Sequence, residues 1–129
     1  MAGKPFYMPV SWASRHTLYM KINFPDIPTF VINLERRPDR LEKVTQEFNY
    51  MGWAFERFNA VDTGSYEGCA YSHQKIAKLA LKLGYEYVMV FEDDIFFMPY
   101  TKKLLPSIEK ELNENQWDFF HFAPSIHRP

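Results

Sequence analysis

The residue pattern predicts an α/β fold built on a mainly parallel sheet, and three observations lead there. Strand-like and helix-like segments alternate along the chain. The clearest strand candidates are apolar runs that do not alternate with polar residues, which suits burial on both faces of a sheet. Polar clusters fall just after those runs, at the carboxyl ends of strands, where such sheets bind ligands.

Residues 1–27 are broken by Pro5, Pro9 and Pro25 and scattered with aromatic and methionine side chains. They read as an N-terminal extension packed on a domain spanning 28–129. The first strand is expected over Thr29-Phe30-Val31-Ile32-Asn33-Leu34, a β-branched apolar run of strand length. Pro38 and Asp39 then suit the first turn of a helix. Leu41, Val44, Phe48 and Met51 follow at steps of three and four and form one apolar stripe. Gly52 is the expected stop. A second strand is read over 53–58, ahead of the loop Asn59-Ala60-Val61-Asp62-Thr63-Gly64.

A second helix is expected from about Ser72, whose hydroxyl suits an N-cap. Ile76, Leu79, Ala80 and Leu83 are its buried face and Gly84 its end. Tyr87-Val88-Met89-Val90-Phe91 is the most strand-like run in the chain, and it stops abruptly in Glu92-Asp93-Asp94. A third helix is placed over 106–113, carrying Ile108 and Leu112. A last short strand is placed over 117–122.

Composition narrows the functional classes. A chain of 129 residues fits one domain with a real core. Hydrophobic residues make up 47% and aromatics 18%, which argues against disorder and points to an aromatic core or an apolar face that something else covers. Fifteen basic and sixteen acidic residues leave a net charge of −1, so no broad basic field exists for nucleic acid. Cys69 is the only cysteine, so no internal disulfide and no cysteine-based zinc site is expected. It also fits a reducing compartment. No run is long and apolar enough for a membrane span, and no secretory signal is evident, so the expected location is cytoplasmic.

Glu92, Asp93 and Asp94 carry the strongest chemical signal. Three adjacent carboxylates repel one another, by about 4 kcal/mol per pair at ~4 Å and an effective dielectric of 20. A hard divalent cation, Mn2+ or Mg2+, relieves this. In an extended chain Glu92 and Asp94 would face one ligand while Asp93 turns away. The plainer reading is a solvated acidic turn. Asn33-Leu34-Glu35-Arg36-Arg37-Pro38-Asp39-Arg40 joins a strand to a helix start, where amide donors and forked guanidinium groups suit a diphosphate. Its plainer reading is arginines paired with Glu35, Asp39 and Glu42. In Gly68-Cys69-Ala70-Tyr71-Ser72-His73, small residues permit close approach, and Ser72 and His73 are candidates to contact a nucleotide or its sugar. Capping by Ser72 and a partly exposed His73 is the plainer alternative. Cys69 reads as a packing residue, since no basic partner is evident.

Four segments in this order resemble glycosyltransferase family 25, which includes lipopolysaccharide-type and collagen-type sugar transferases. They are Val31-Ile32-Asn33-Leu34-Glu35-Arg36-Arg37-Pro38-Asp39-Arg40, Phe55-Glu56-Arg57-Phe58-Asn59-Ala60-Val61-Asp62, Gly68-Cys69-Ala70-Tyr71-Ser72-His73 and Val90-Phe91-Glu92-Asp93-Asp94-Ile95. The resemblance spans roughly 28–123. It implies a GT-A-like, Rossmann-like sheet with a carboxylate metal motif at Glu92, Asp93 and Asp94. It further implies that Asn33, Leu34, Arg36, Arg40, Asp62, Ser72 and His73 line or support the donor pocket. The implied donor is UDP-galactose or a similar nucleotide-sugar, the acceptor a glycan or protein hydroxyl, and the transfer inverting. Family members continue beyond the segment resembling 117–122. That later part carries the acceptor surface and, by implication, the general base. No base is assigned here, and Asp118 reads as structural. Two alternatives stay open: a truncated transferase or one subunit of it, with a second-half partner chain or a homo-oligomer as the possible assembly, and a non-catalytic module that binds the donor or a partner. A receiver-like phosphoacceptor fits less well, because its paired acids would follow the first strand.

Overall fold

A computed structural model of the chain describes residues 21–122. Three parallel strands form its sheet: β1 (Thr29–Asn33), β2 (Glu56–Asn59) and β3 (Met89–Glu92), in the order β2-β1-β3. Three helices accompany them: α1 (Pro38–Met51), α2 (Glu67–Leu83) and α3 (Thr101–Glu114). This is the α/β parallel architecture of a Rossmann-like sheet. In register, Val31 of β1 lies between Arg57 and Phe91, and Phe30 between Glu56 and Val90. All five residues of β1 are buried, as its unbroken apolar run predicts for a central strand.

Side-chain alternation sorts the core onto two faces. Val31, Met89 and Phe91 pack with Val44, Phe48 and Met51 of α1, and Trp53 joins them. Phe30 and Ile32 pack on the other side with Ile76 of α2. Each of these helices ends as the sequence predicts. Gly52 and Gly84 adopt the left-handed conformation at φ 70° and 71°, and their amides return to carbonyls of the last turn.

Residues 21–27 lie against α3. The Ile22 amide donates to Asn113 Oδ1 at 2.6 Å and the Phe24 amide to Glu109 Oε1 at 3.0 Å. Ile22, Phe24 and Ile27 are buried in the α1-side core. The remainder of the expected N-terminal extension, 1–20, lies outside the described residues, as do 123–129.

Three expectations need correction. Residues 117–122 form no strand. Their rings are used for packing instead: Phe122 meets Phe24, Trp53 and Phe91, and Trp117 stacks on Tyr87 at 5.3 Å. The Trp117 indole donates to the Leu112 carbonyl, which ties this segment to the end of α3. Next, α2 starts at Glu67, so Ser72 sits inside the helix and is not its cap. Finally, α3 begins at Thr101 and contains Pro106. Proline there removes only the bond to the carbonyl of Lys102, an exposed residue of the first turn.

Candidate functional site at the carboxyl ends of β1 and β3

The chain leaves β1 toward β2 on one side, and β3 returns on the other. In an open parallel sheet this reversal opens a crevice beyond the carboxyl ends of the two strands. Asn33, the last residue of β1, organises it although only 2% exposed. Its Nδ2 donates to Asp93 Oδ2 at 2.7 Å and to the Arg37 carbonyl at 3.0 Å. Its Oδ1 accepts from Arg57 Nε at 2.9 Å. The Asn33 backbone carbonyl accepts from Arg57 Nη2 and from the Ala60 amide. One buried amide therefore joins β3, β2 and the start of α1, with both ends of its side chain satisfied.

A cavity of about 420 Å³ opens above this junction. Glu92, Asp93 and Asp94 line it together with Leu34, Arg36 and Arg40, and the loop that runs from Ala60 to Tyr66 contributes with Cys69. All three carboxylates line it, but they separate. Strand β3 ends at Glu92, so the two-residue alternation stops there and Asp93 does not turn away. Asp93 is 9% exposed and points inward to Asn33, with Arg40 Nη1 at 3.5 Å from Oδ1. Asp94 is exposed, with no hydrogen bond or ion pair among the described residues. Glu92 faces α2, where the Cys69 thiol approaches Oε1 at 2.7 Å and His73 Nε2 stands 3.6 Å from the same oxygen. The latter is an ion-pair distance and not a hydrogen bond. His73 first, then Cys69, draw the Glu92 carboxyl down to about 2. Burial and the Glu92 carboxylate together push the Cys69 thiol up to about 11.

The arginines divide in the same way. Arg36 Nε meets Asp62 Oδ2 at 3.1 Å across the mouth of the cavity. This contact and the Gly64 amide hold Asp62 below the usual carboxylate range. Arg37 instead makes a two-pronged pair with Asp39 and is not among the residues that line the cavity. Of the plainer pairings, only that between Arg37 and Asp39 is present among the hydrogen bonds and ion pairs of the described residues.

Ser72 is completely buried and shapes the site from behind. Its Oγ accepts from the Val61 amide at 2.9 Å and donates to the Gly68 carbonyl at 2.8 Å. The loop is thereby pinned to α2. A Cβ on Gly68 would run into the Val61 carbonyl oxygen, so glycine is what permits the close approach. Thus Leu34, Arg36, Arg40, Asp62 and the acidic run line the cavity, Asn33 and Ser72 support it, and His73 lies outside it on Glu92.

Sequence reasoning did not single out Arg57, Gly64, Ser65 or Tyr66, and it set Cys69 aside. Arg57 carried a signal: an arginine between the aromatic residues Phe55 and Phe58 needs an acceptor when it is partly buried, and Asn33 supplies two. The Cys69 partner lies 23 residues away, beyond any local pattern.

A parallel sheet with a cavity lined by charged residues at its topological switch point is an α/β unit of the kind that holds ligands beyond its strand ends. The profile of glycosyltransferase family 25 (LPS biosynthesis protein) matches residues 26–67 and 63–124, and the chain belongs to that family. Among curated relatives, a "Glycosyltransferase 25 family member" of Aedes aegypti and one of Drosophila melanogaster are each 29% identical over 73% of this chain and 20% of their own length. One of Drosophila pseudoobscura pseudoobscura is 33% identical over 57% of this chain and 16% of its own. The chain spans about a fifth of the length of the curated relatives it matches. All four segments that carry the resemblance fall within the profile match.

Proposed function

We propose that this chain is the donor-binding part of a metal-assisted glycosyltransferase of GT-A type. It takes a hexose such as galactose from a nucleotide-sugar such as UDP-galactose to a glycan or protein hydroxyl with inversion. The observation that supports this most is the gathering of acidic and basic groups in one cavity, Asp93 and Asp94 with Arg36 and Arg40. A diphosphate carries negative charge on both sides and needs a cation as well as forked donors.

The donor class fits a hard cation, with Asp94 presenting its carboxylate to the cavity while Asp93 is held by Asn33 and Arg40 and Glu92 turns to α2. Carboxylate oxygens are the donor class of Mg2+ and Mn2+. Such an ion, when bound, offsets the charge that develops on a leaving diphosphate. The chain's own groups then bind and orient. Arg40, held by Asp93 at the base, and Arg36, held by Asp62 at the mouth, bracket the space for phosphate. Leu34, Ala60 and Tyr66 offer apolar surface to the remainder of the donor. The cavity is of the size usual for small-molecule sites.

Calorimetric titration with uridine diphosphate tests the reading. Binding should require Mn2+ and fall by about tenfold or more in Asp94→Asn and in Arg40→Ala. Unchanged binding in both variants, or binding indifferent to the metal, refutes the proposed site. A chain that binds with manganese but hydrolyses no donor above background is the binding-module form of the same reading.

A further inference from the structure

Cys69 and His73 stand four residues apart on α2, so their side chains share one face of the helix. Glu92, the last residue of β3, points at that face and not along the acidic run. One sulfur, one imidazole nitrogen and one carboxylate oxygen from these residues all lie within 4.8 Å of one another. We propose that Cys69, His73 and Glu92 form a second cation site, for a divalent ion of the zinc class, on the α2 side of the cavity. It is separate from the all-carboxylate position at Asp93 and Asp94.

The donor set decides the ion. Thiolate and imidazole select borderline metals such as zinc over magnesium and manganese, which prefer oxygen alone. The charges also balance: a thiolate and a carboxylate with a neutral imidazole carry two negative charges against a divalent ion. On binding, the thiol proton passes to water as the sulfur–metal bond forms. In a tetrahedral zinc site adjacent donor atoms lie roughly 3.3–3.6 Å apart, from the usual metal–ligand lengths. His73 Nε2 and Glu92 Oε1, at 3.6 Å, already have that spacing. Cys69 Sγ, at 2.7 Å from the same oxygen, needs to open by about 0.8 Å, a side-chain rotation. Cys69 and Glu92 also line the cavity. Three protein donors leave a fourth position for water or for an oxygen of the bound ligand. A single cysteine excludes a cysteine-rich zinc site, but not a mixed one assembled across 23 residues of sequence.

The test is cobalt titration of the metal-free chain, followed by the thiolate-to-cobalt charge-transfer absorption. The expected result is a band that saturates at about one equivalent, is bleached by zinc and is indifferent to manganese. Cys69→Ser should abolish the band with an unchanged circular dichroism spectrum. His73→Ala and Glu92→Gln should each weaken cobalt binding by about tenfold or more, and Asp94→Asn should leave it unchanged. The proposal is overturned if no band forms, if the band survives His73→Ala and Glu92→Gln at full affinity, or if Asp94→Asn weakens it as much as they do. The outcome is independent of the donor reading. Loss of manganese-dependent uridine diphosphate binding with an intact cobalt band would count against the donor cavity alone.

Discussion

The two faces of the sheet are unequal. On the α1 side ten buried residues form one cluster, and Phe48 alone makes ring contacts with Trp53, Phe55, Phe91 and Phe97. On the α2 side the clustered core is Phe30, Ile32 and Ile76. Yet α2 supplies Cys69, Ser72 and His73 to the site, while the main contribution of α1 is Arg40 at its start. The thick aromatic face holds the sheet in shape, and the helix on the thin face carries Cys69, Ser72 and His73. Buried apolar surface is the main source of stability, so the two jobs separate by layer.

Substitutions can break this contrast. Phe48→Ala should have the largest effect on stability, about 3–5 kcal/mol, because it removes the ring at the centre of the aromatic cluster. Urea unfolding monitored by circular dichroism would measure it, and a loss under 1 kcal/mol would show that the face is not packed as described. Ser72→Ala should cost less, about 1–3 kcal/mol, since it strips the Val61 amide of its acceptor. It should also weaken nucleotide binding out of proportion to that cost, because the loop it pins lines the cavity. A variant that bound uridine diphosphate as the parent does would remove Ser72 from any supporting role.

The smallest effect belongs to the exposed pair at the start of α1. Hydrogen bonding from Arg37 holds the Asp39 carboxyl well below its ordinary 3.8. A depressed carboxylate favours the folded state above that value, and the contribution fades as the pH falls below it. Arg37→Gln should return Asp39 toward 3.8 and slightly reduce the stability difference between neutral and acid solution. Carbon-detected NMR titration of the Asp39 carboxyl would follow the shift. An unmoved titration would show that the contact does not persist in solution.

Much of the fold was legible because its signals are local. The β1 run, the α1 stripe and the glycines at 52 and 84 each state their own structure through sterics and periodicity. The errors arose where a residue's role depends on distant chain. Ser72 has the chemistry of a cap, but its acceptor capacity is used by Val61, a loop residue that folds back on the helix. The 117–122 segment is as apolar and aromatic as a strand, but its rings fill the gap beside Trp53 and Phe91, and ring burial alone makes no ladder. Within the site, the acidic and arginine clusters were visible as clusters. Their division was not, because Glu92 goes to a helix face and Asp93 to Asn33 only once the strands are aligned.

The Asn33 side chain has unlike neighbours: a guanidinium at its oxygen and a carboxylate at its nitrogen. Aspartate has nearly the same shape but no hydrogen to offer Asp93. Exchanging amide for acid there would set two carboxyl groups face to face between the Arg57 and Arg40 guanidinium groups and would remove the donor to the Arg37 carbonyl. One nitrogen atom therefore turns what would be a meeting of two acids beneath the cavity into a bond that ties β1 to the end of β3.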